Sequence, residues 1–129
     1  TNDIAYAGAP FKDLLSYMVK NYSLILEEIK TKLPNTRVYL MAYFPVNEVD
    51  ITSDEDFDEN RFINRNNHNL SIANEEIQKL ALQFNYEYID ANKGLTDNRG
   101  LLRKEFTLEG IHIYANGYRI ILENLKPYI

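Results

Sequence analysis

The sequence of 129 residues contains no cysteine, and it has only five glycines and two histidines. Without cysteine the chain can form no disulfide, no thiolate metal site and no cysteine nucleophile. None of the glycines forms a glycine-rich loop after a predicted strand, which is how nucleotide-binding proteins of the doubly wound class hold phosphate. Any histidine chemistry is therefore restricted to His68 and His112.

Long apolar runs and an excess of basic residues are also missing. No apolar run approaches the roughly 20 residues that a membrane-spanning helix needs. Fourteen basic and nineteen acidic side chains leave a net charge of −5, and an acidic protein repels phosphate backbones, so nucleic acid is not an expected partner. No secretory signal is visible. Because the chain begins with Thr1 and not with Met, we expect its natural start to lie upstream, and the compartment stays open.

Helical and strand patterns alternate along the chain. Apolar residues at steps of three and four predict amphipathic helices, and short continuous apolar runs predict buried parallel strands. The predicted elements are, in chain order, a helix over 11–33, a strand over 37–44, a helix over 70–84, a strand over 86–89 and a helix after His112. The last helix is predicted to bury Tyr118, Ile121, Leu122 and Leu125.

This order predicts an α/β fold with a parallel sheet covered by helices. Two strands cannot provide a sheet large enough for these helices, and isolated two-stranded sheets are marginally stable. We therefore predict that residues 1–129 are the C-terminal part of a single three-layer α/β/α, flavodoxin-like domain. The chain alone should be poorly stable unless the missing N-terminal segment or a second copy in a homo-oligomer completes it.

The segment Glu109-Gly-Ile-His112 is the clearest candidate for chemistry. An acid three residues before a histidine, with a glycine between them, can fold back so that its carboxylate contacts one imidazole nitrogen. Such a contact fixes the tautomer and stabilises the imidazolium, as in a catalytic triad. Considered alone, a surface acid beside a helix-capping histidine explains the segment equally well. Thr1-Asn2-Asp3, considered alone, is best interpreted as a turn-capping segment.

Together these segments resemble the SGNH (GDSL-type) serine hydrolases, whose sequences carry four blocks. The first two blocks, a Gly-Asp-Ser with the nucleophile and a separate glycine, have no counterpart here. Thr1-Asn2-Asp3 matches the third block, Gly-x-Asn-Asp, without its glycine, and Glu109-x-x-His112 matches the fourth, Asp-x-x-His, with Glu for Asp. The sequence also resembles the platelet-activating-factor-acetylhydrolase-like branch of this family, over residues 33–48, 70–81, 88–90, 101–106 and 116–118.

The resemblance implies a lipase-like esterase that cleaves small acyl esters through an acyl-serine intermediate, without metal or organic cofactor. Asn2 would donate its amide to the oxyanion, a contribution typically worth ~10²–10³ in rate. His112 would act first as general base and then as general acid, and Glu109 would orient it; triads with Glu are chemically sound. No Gly-Asp-Ser surrounds Ser16, Ser23, Ser53 or Ser71. The nucleophile is therefore not expected in this chain, which should be inactive alone.

Two other features have simpler interpretations. His68 lies in a polar stretch before a helix and is predicted to be solvated or capping. The acidic stretch from Glu48 to Glu59 includes Asp54, Asp56 and Asp58, but it lacks the glycine and the terminal glutamate of a calcium loop. It is predicted to be a solvated loop.

Two rival functions are kept beside the esterase. One is a non-catalytic binding module on the same fold that has lost its nucleophile. The other is a doubly wound phosphate- or nucleotide-binding regulator, and the missing glycine-rich loop is an argument against it.

Overall fold

The computed structural model describes residues 1–51 and 59–129, and it has an α/β fold. The main elements are α1 (Phe11–Lys32), β1 (Tyr39–Met41), α2 (Asn67–Phe84), β2 (Glu87–Ile89) and α3 (Ala115–Leu125). Single turns of 3-10 helix lie at Asn2–Ile4, Glu59–Phe62, Lys104–Phe106 and Lys126–Tyr128. The predicted order of helices and strands is confirmed. Asp54, Asp56 and Asp58 of the predicted solvated loop lie outside the described residues.

The two strands are parallel, as predicted, but shorter than the sequence pattern indicates. Leu40 of β1 lies opposite Tyr88 of β2 in the register. Just beyond β1 the backbone N–H of Ala42 still donates to the carbonyl of Ile89 at 2.9 Å. At Tyr43 side chains replace the ladder: its N–H donates to the side chain of Asn74 at 2.7 Å, and its carbonyl accepts from the side chain of Asn92 at 3.0 Å. The backbone of Tyr43 is thus satisfied without a neighbouring strand.

A hydrophobic cluster covers each face of the sheet. Because side chains alternate along a strand, Leu40 packs into one cluster while Tyr39 and Met41 pack against the other. The first cluster joins β1 to α1 and α2 through Ile4, Met18, Leu26, Leu70, Ala73, Ile77, Leu80, Ala81 and Phe84. The second joins β2 to α3 through Ile89, Ala91, Leu95, Leu102, Phe106 and Ile121. Helices therefore lie on both faces of the pair of strands.

The predicted burial of α3 is partly wrong. Ile121 is buried, but Tyr118 is 53% exposed and Leu122 is 51% exposed. Together with Tyr114, at 45%, they form a stripe with steps of four residues along one side of the helix. The helical period predicts that these residues share one side of the helix, but it does not tell what packs against that side. A sheet of two strands, which lie about 5 Å apart, is too narrow to cover it. On α1 the apolar side chain of Ile25 is also 55% exposed.

None of the helices in residues 1–51 and 59–129 combines the length and the apolar character that a bilayer span requires.

Candidate active site

Glu109 and His112 contact each other in the loop that leads into α3. One carboxylate oxygen of Glu109 accepts a hydrogen bond from the backbone N–H of His112 at 2.8 Å and also contacts the imidazole Nδ1. The Glu109 side chain is 20% exposed, whereas that of His112 is 88% exposed. Within the described part of the chain, the imidazole Nε2 has no hydrogen-bond partner. The structure thus contains the contact that the spacing predicts, while the catalytic roles of both residues stay predictions.

Gly110 allows the loop to fold in this way. Its φ is +90°, a conformation that residues with a Cβ rarely adopt. A Cβ at this position would lie 2.5 Å from the carbonyl oxygen of Asn47 and 2.9 Å from the ring of Phe62. The backbone N–H of Gly110 donates to Thr107 at 3.0 Å, and its carbonyl accepts from the N–H of Asn47 at 2.8 Å. These contacts fix the backbone of Gly110, which lies between Glu109 and His112.

The pKa of Glu109 is lowered from its ordinary value. Partial burial alone would raise that pKa, but hydrogen bonds from the backbone N–H groups of His112 and of Glu109 itself, together with the imidazole of His112, outweigh it. The carboxylate is therefore ionised at neutral pH, which is the state that can stabilise a positive charge on the imidazole.

Asn2 lies in the 3-10 turn at the start of the chain, and its side chain is anchored at one end. Its Oδ1 accepts a hydrogen bond from the guanidinium of Arg65 at 2.8 Å. Its amide nitrogen, Nδ2, has no partner among residues 1–51 and 59–129. The neighbouring Asp3, predicted to be structural, accepts a hydrogen bond from the hydroxyl of Tyr43 at 3.3 Å, and burial followed by the charge of Asp3 raises the pKa of Tyr43.

Asn2 and His112 line the same cavity of about 630 Å³. The cavity lies along β1 on the edge away from β2, since it is lined by Tyr39 and Met41 of β1 and by no residue of β2. The helices on the two faces of the sheet border it through Tyr22 and Tyr118. It therefore lies where the described sheet ends.

An imidazole with one open nitrogen and an amide with free N–H groups, lining one cavity, can accept a proton and stabilise a developing negative charge. None of the serines in the described residues completes this arrangement, and none was expected to. Ser16 and Ser23 lie on α1 and Ser71 lies on α2, and none of these three lines the cavity, while Ser53 is outside the described residues. His68, in the first turn of α2, is exposed and does not line the cavity either.

Sequence reasoning missed two arginines that contact the candidate residues. Arg65 donates to Asn2, as described above, and Arg61 donates to the backbone carbonyl of Glu109 at 3.3 Å. Both precede α2 in a stretch that the sequence identifies only as polar. The density of asparagine between Asn64 and Asn69 was the available signal, because buried amides usually bind backbone groups of another segment.

Comparison with known proteins adds the family context. No protein-family model matches the sequence, and no curated protein matches it. Among solved structures, one from Streptococcus pneumonia described as that of a platelet activating factor shares 29% identity and superimposes with a TM-score of 0.78 over 98% of this chain and 55% of its own. The chain is similar in structure to GDSL-type hydrolases.

Two further structures support this similarity at the level of the fold. An acylhydrolase from Bacteroides fragilis matches with a TM-score of 0.74 and 18% identity, over 98% of this chain and 56% of its own. A GDSL-like lipase from Bacteroides thetaiotaomicron matches with a TM-score of 0.66 and 18% identity, over 88% of this chain and 51% of its own. The chain thus spans about half the length of the GDSL-type structures that it matches.

Proposed function

We propose that this chain is part of a serine esterase of the SGNH type that hydrolyses small acyl esters without metal or organic cofactor. The observation that carries the proposal is the shared cavity of Asn2 and His112, with Glu109 bound to the Nδ1 of His112 and with the imidazole Nε2 left open. The similarity to GDSL-type hydrolases supports an ester-cleaving reaction for this arrangement.

Each of the three residues has one role in the proposed reaction. The Nε2 of His112 removes the proton from a serine hydroxyl as that oxygen attacks the ester carbonyl, and Glu109 stabilises the imidazolium that forms. The amide of Asn2 donates to the oxyanion of the tetrahedral intermediate, and such a donor is typically worth ~10²–10³ in rate. His112 then protonates the leaving alcohol, and water releases the acyl group by the reverse sequence of proton transfers.

The serine in this proposal comes from an N-terminal segment of the same protein, outside this chain. Three observations support a segment that continues the flavodoxin-like sheet along β1. In the described ranges β1 pairs on one edge only, and the cavity lies along its other edge. The exposed stripe of Tyr114, Tyr118 and Leu122 offers apolar surface for such a segment to cover. The matched solved structures are about twice as long as this chain.

The hydrolysis of p-nitrophenyl acetate tests the proposal. The longest natural polypeptide that contains this segment should be active, and the 129-residue chain alone should be inactive. A fluorophosphonate, which labels activated serines covalently, should modify a serine of a Gly-Asp-Ser upstream of Thr1. Activity of the 129-residue chain, or labelling of a serine within it, would overturn the assignment of the nucleophile.

A non-catalytic binding module on the same fold is the second candidate. The observation that favours it is that Ser16, Ser23 and Ser71 all lie away from the cavity. If the long polypeptide hydrolyses neither p-nitrophenyl acetate nor esters with longer acyl groups, and the fluorophosphonate labels no serine, a binding module becomes the proposed function.

A further inference from the structure

Arg65 holds the side chain of Asn2 in one orientation. Its guanidinium donates to Asn2 Oδ1 at 2.8 Å. A guanidinium carries only donors, whereas a carboxamide has an acceptor at one end and donors at the other. Arg65 must therefore meet the oxygen end of the amide, and the amide nitrogen is left for the other side. An Asn without such a partner can turn its amide by 180° at little cost, and then its oxygen would face the substrate.

The loop that carries Arg65 is fixed to the segment that carries Asn2. Asn64 is 4% exposed, and its Nδ2 donates to the carbonyls of Tyr6 at 2.7 Å and of Ala9 at 3.0 Å. On the other side, Asn66 caps the first turn of α2 by accepting from the N–H of Asn69 at 2.9 Å. The residue that precedes Arg65 is therefore connected by two partly buried hydrogen bonds to the backbone four and seven residues after Asn2.

From this geometry we infer that Arg65 is a positioning residue of the esterase, acting through Asn2 by keeping the Asn2 amide nitrogen directed at the oxyanion. The inference rests on the proposed function. Alternatively, Arg65 could affect the transition state through its charge alone. Its guanidinium interacts electrostatically with Glu109, the acid that contacts the imidazole of His112. The two modes differ in one respect, because only the positioning role requires Asn2.

A double-mutant cycle in the long polypeptide distinguishes the positioning role of Arg65 from an effect of its charge alone. The four proteins are wild type, Arg65→Met, Asn2→Ala and the double variant, with kcat and KM for p-nitrophenyl acetate as the readout. Arg65→Met should lower kcat by about tenfold with KM unchanged, less than the ~10²–10³ expected for loss of the donor itself, because Asn2 can still donate in part of the population. In the Asn2→Ala background the same substitution should lower kcat no further.

Two additional variants control for folding. Arg65→Lys keeps one donor for Asn2 Oδ1 and should recover part of the lost kcat. Arg37→Met removes an exposed arginine that precedes β1 and pairs with Glu87 at 3.6 Å, and it should leave kcat at the wild-type value. Thermal unfolding of all variants identifies any that lose activity by losing structure, and Arg65→Lys replaces Arg65→Met in the cycle if the latter does not fold.

The possible outcomes distinguish the inference from the function on which it rests. If Arg65→Met lowers kcat by the same factor with and without Asn2, or leaves kcat of the wild type unchanged while Asn2→Ala is slow, Arg65 is not a positioning residue. If Asn2→Ala and His112→Ala both retain wild-type kcat, the proposed function itself is wrong. If Arg65→Met lowers kcat only in the protein that still has Asn2, the result supports the inference.

Discussion

A single carboxylate oxygen of Glu109 contacts both the backbone N–H and the imidazole Nδ1 of His112. The acid is therefore tied to the ring and to the peptide that carries the ring. Glu is one methylene longer than the Asp of the family pattern, and it still reaches both groups of His112 within a loop in which Gly110 is hydrogen-bonded to Thr107 and to Asn47. The orientation of the imidazole ring follows from these contacts.

His112→Ala should abolish most of the esterase activity of the long polypeptide. General acid–base catalysis by a positioned side chain contributes typically ~10²–10⁴ in rate, so kcat/KM for p-nitrophenyl acetate should fall by about that factor. The matched control is His68→Ala, which removes the other histidine of the chain from an exposed position outside the cavity. An unchanged kcat/KM in His112→Ala, or an equal loss in both variants, would contradict the assignment.

Glu109→Gln should lower kcat while leaving the fold intact, because the amide cannot stabilise the imidazolium and can favour the wrong tautomer. In a triad that loss reaches ~10⁴, and we expect about 10²–10⁴ here. Glu109→Asp is the control, since it restores the charge at a shorter reach and should retain more activity than Glu109→Gln. Equal activity of the Gln and Asp variants would show that the negative charge is not needed.

Acid should remove the stabilisation that ionised Glu109 provides. Its pKa in the folded chain lies below the ordinary value of 4.5, so the contribution is fully present above about pH 4.5 and is lost as the pH falls through the lowered pKa. In Glu109→Gln this part of the acid dependence should be missing. Urea unfolding of both proteins between pH 3 and pH 7 would show it as a smaller difference in unfolding free energy at the acid end, and a constant difference would contradict it.

Gly110→Ala should destabilise the protein more than Gly100→Ala. Both glycines have positive φ, +90° and +81°, so both substitutions carry the backbone strain of about 1–3 kcal/mol that such conformations cost. Only at Gly110 would the added Cβ lie 2.5 Å from a carbonyl oxygen, whereas nothing lies within 4 Å at Gly100. The difference in unfolding free energy between the two variants measures the close approach, and equal values would contradict it.

Asn64→Ala should reduce both stability and activity. It removes two partly buried hydrogen bonds to the carbonyls of Tyr6 and Ala9, and a hydrogen bond of this kind contributes about 0.5–1.5 kcal/mol. The segment with Asn2 is then held less firmly, although Ile4 stays in the core, so kcat should fall as well. Asn98→Ala, at an exposed position, is the control and should change the unfolding free energy by less than about 0.5 kcal/mol. A stable Asn64→Ala variant with full activity would show that the loop does not organise this segment.

The parts of the structure that depend on local spacing were predictable from the sequence. The helices follow the period of their apolar residues, and Glu109 meets His112 because three residues with a glycine between them suffice to close the loop. The contact of Arg65 with Asn2 joins residues 63 positions apart, and no local pattern specifies it. The ends of β1 were missed for the same reason, because Asn74 and Asn92 replace the ladder from distant parts of the chain.

The hydrogen bonds of Asn64 also set an order of events during synthesis. They connect Asn64 to Tyr6 and Ala9 across 58 and 55 residues of chain. Residues 1–9 leave the ribosome before Asn64 does, and the carbonyls of Tyr6 and Ala9 cannot receive these hydrogen bonds until Asn64 has emerged and its loop has closed. Asn2, the oxyanion donor that we propose, is thus synthesised 63 residues before Arg65, the residue that orients it in our inference.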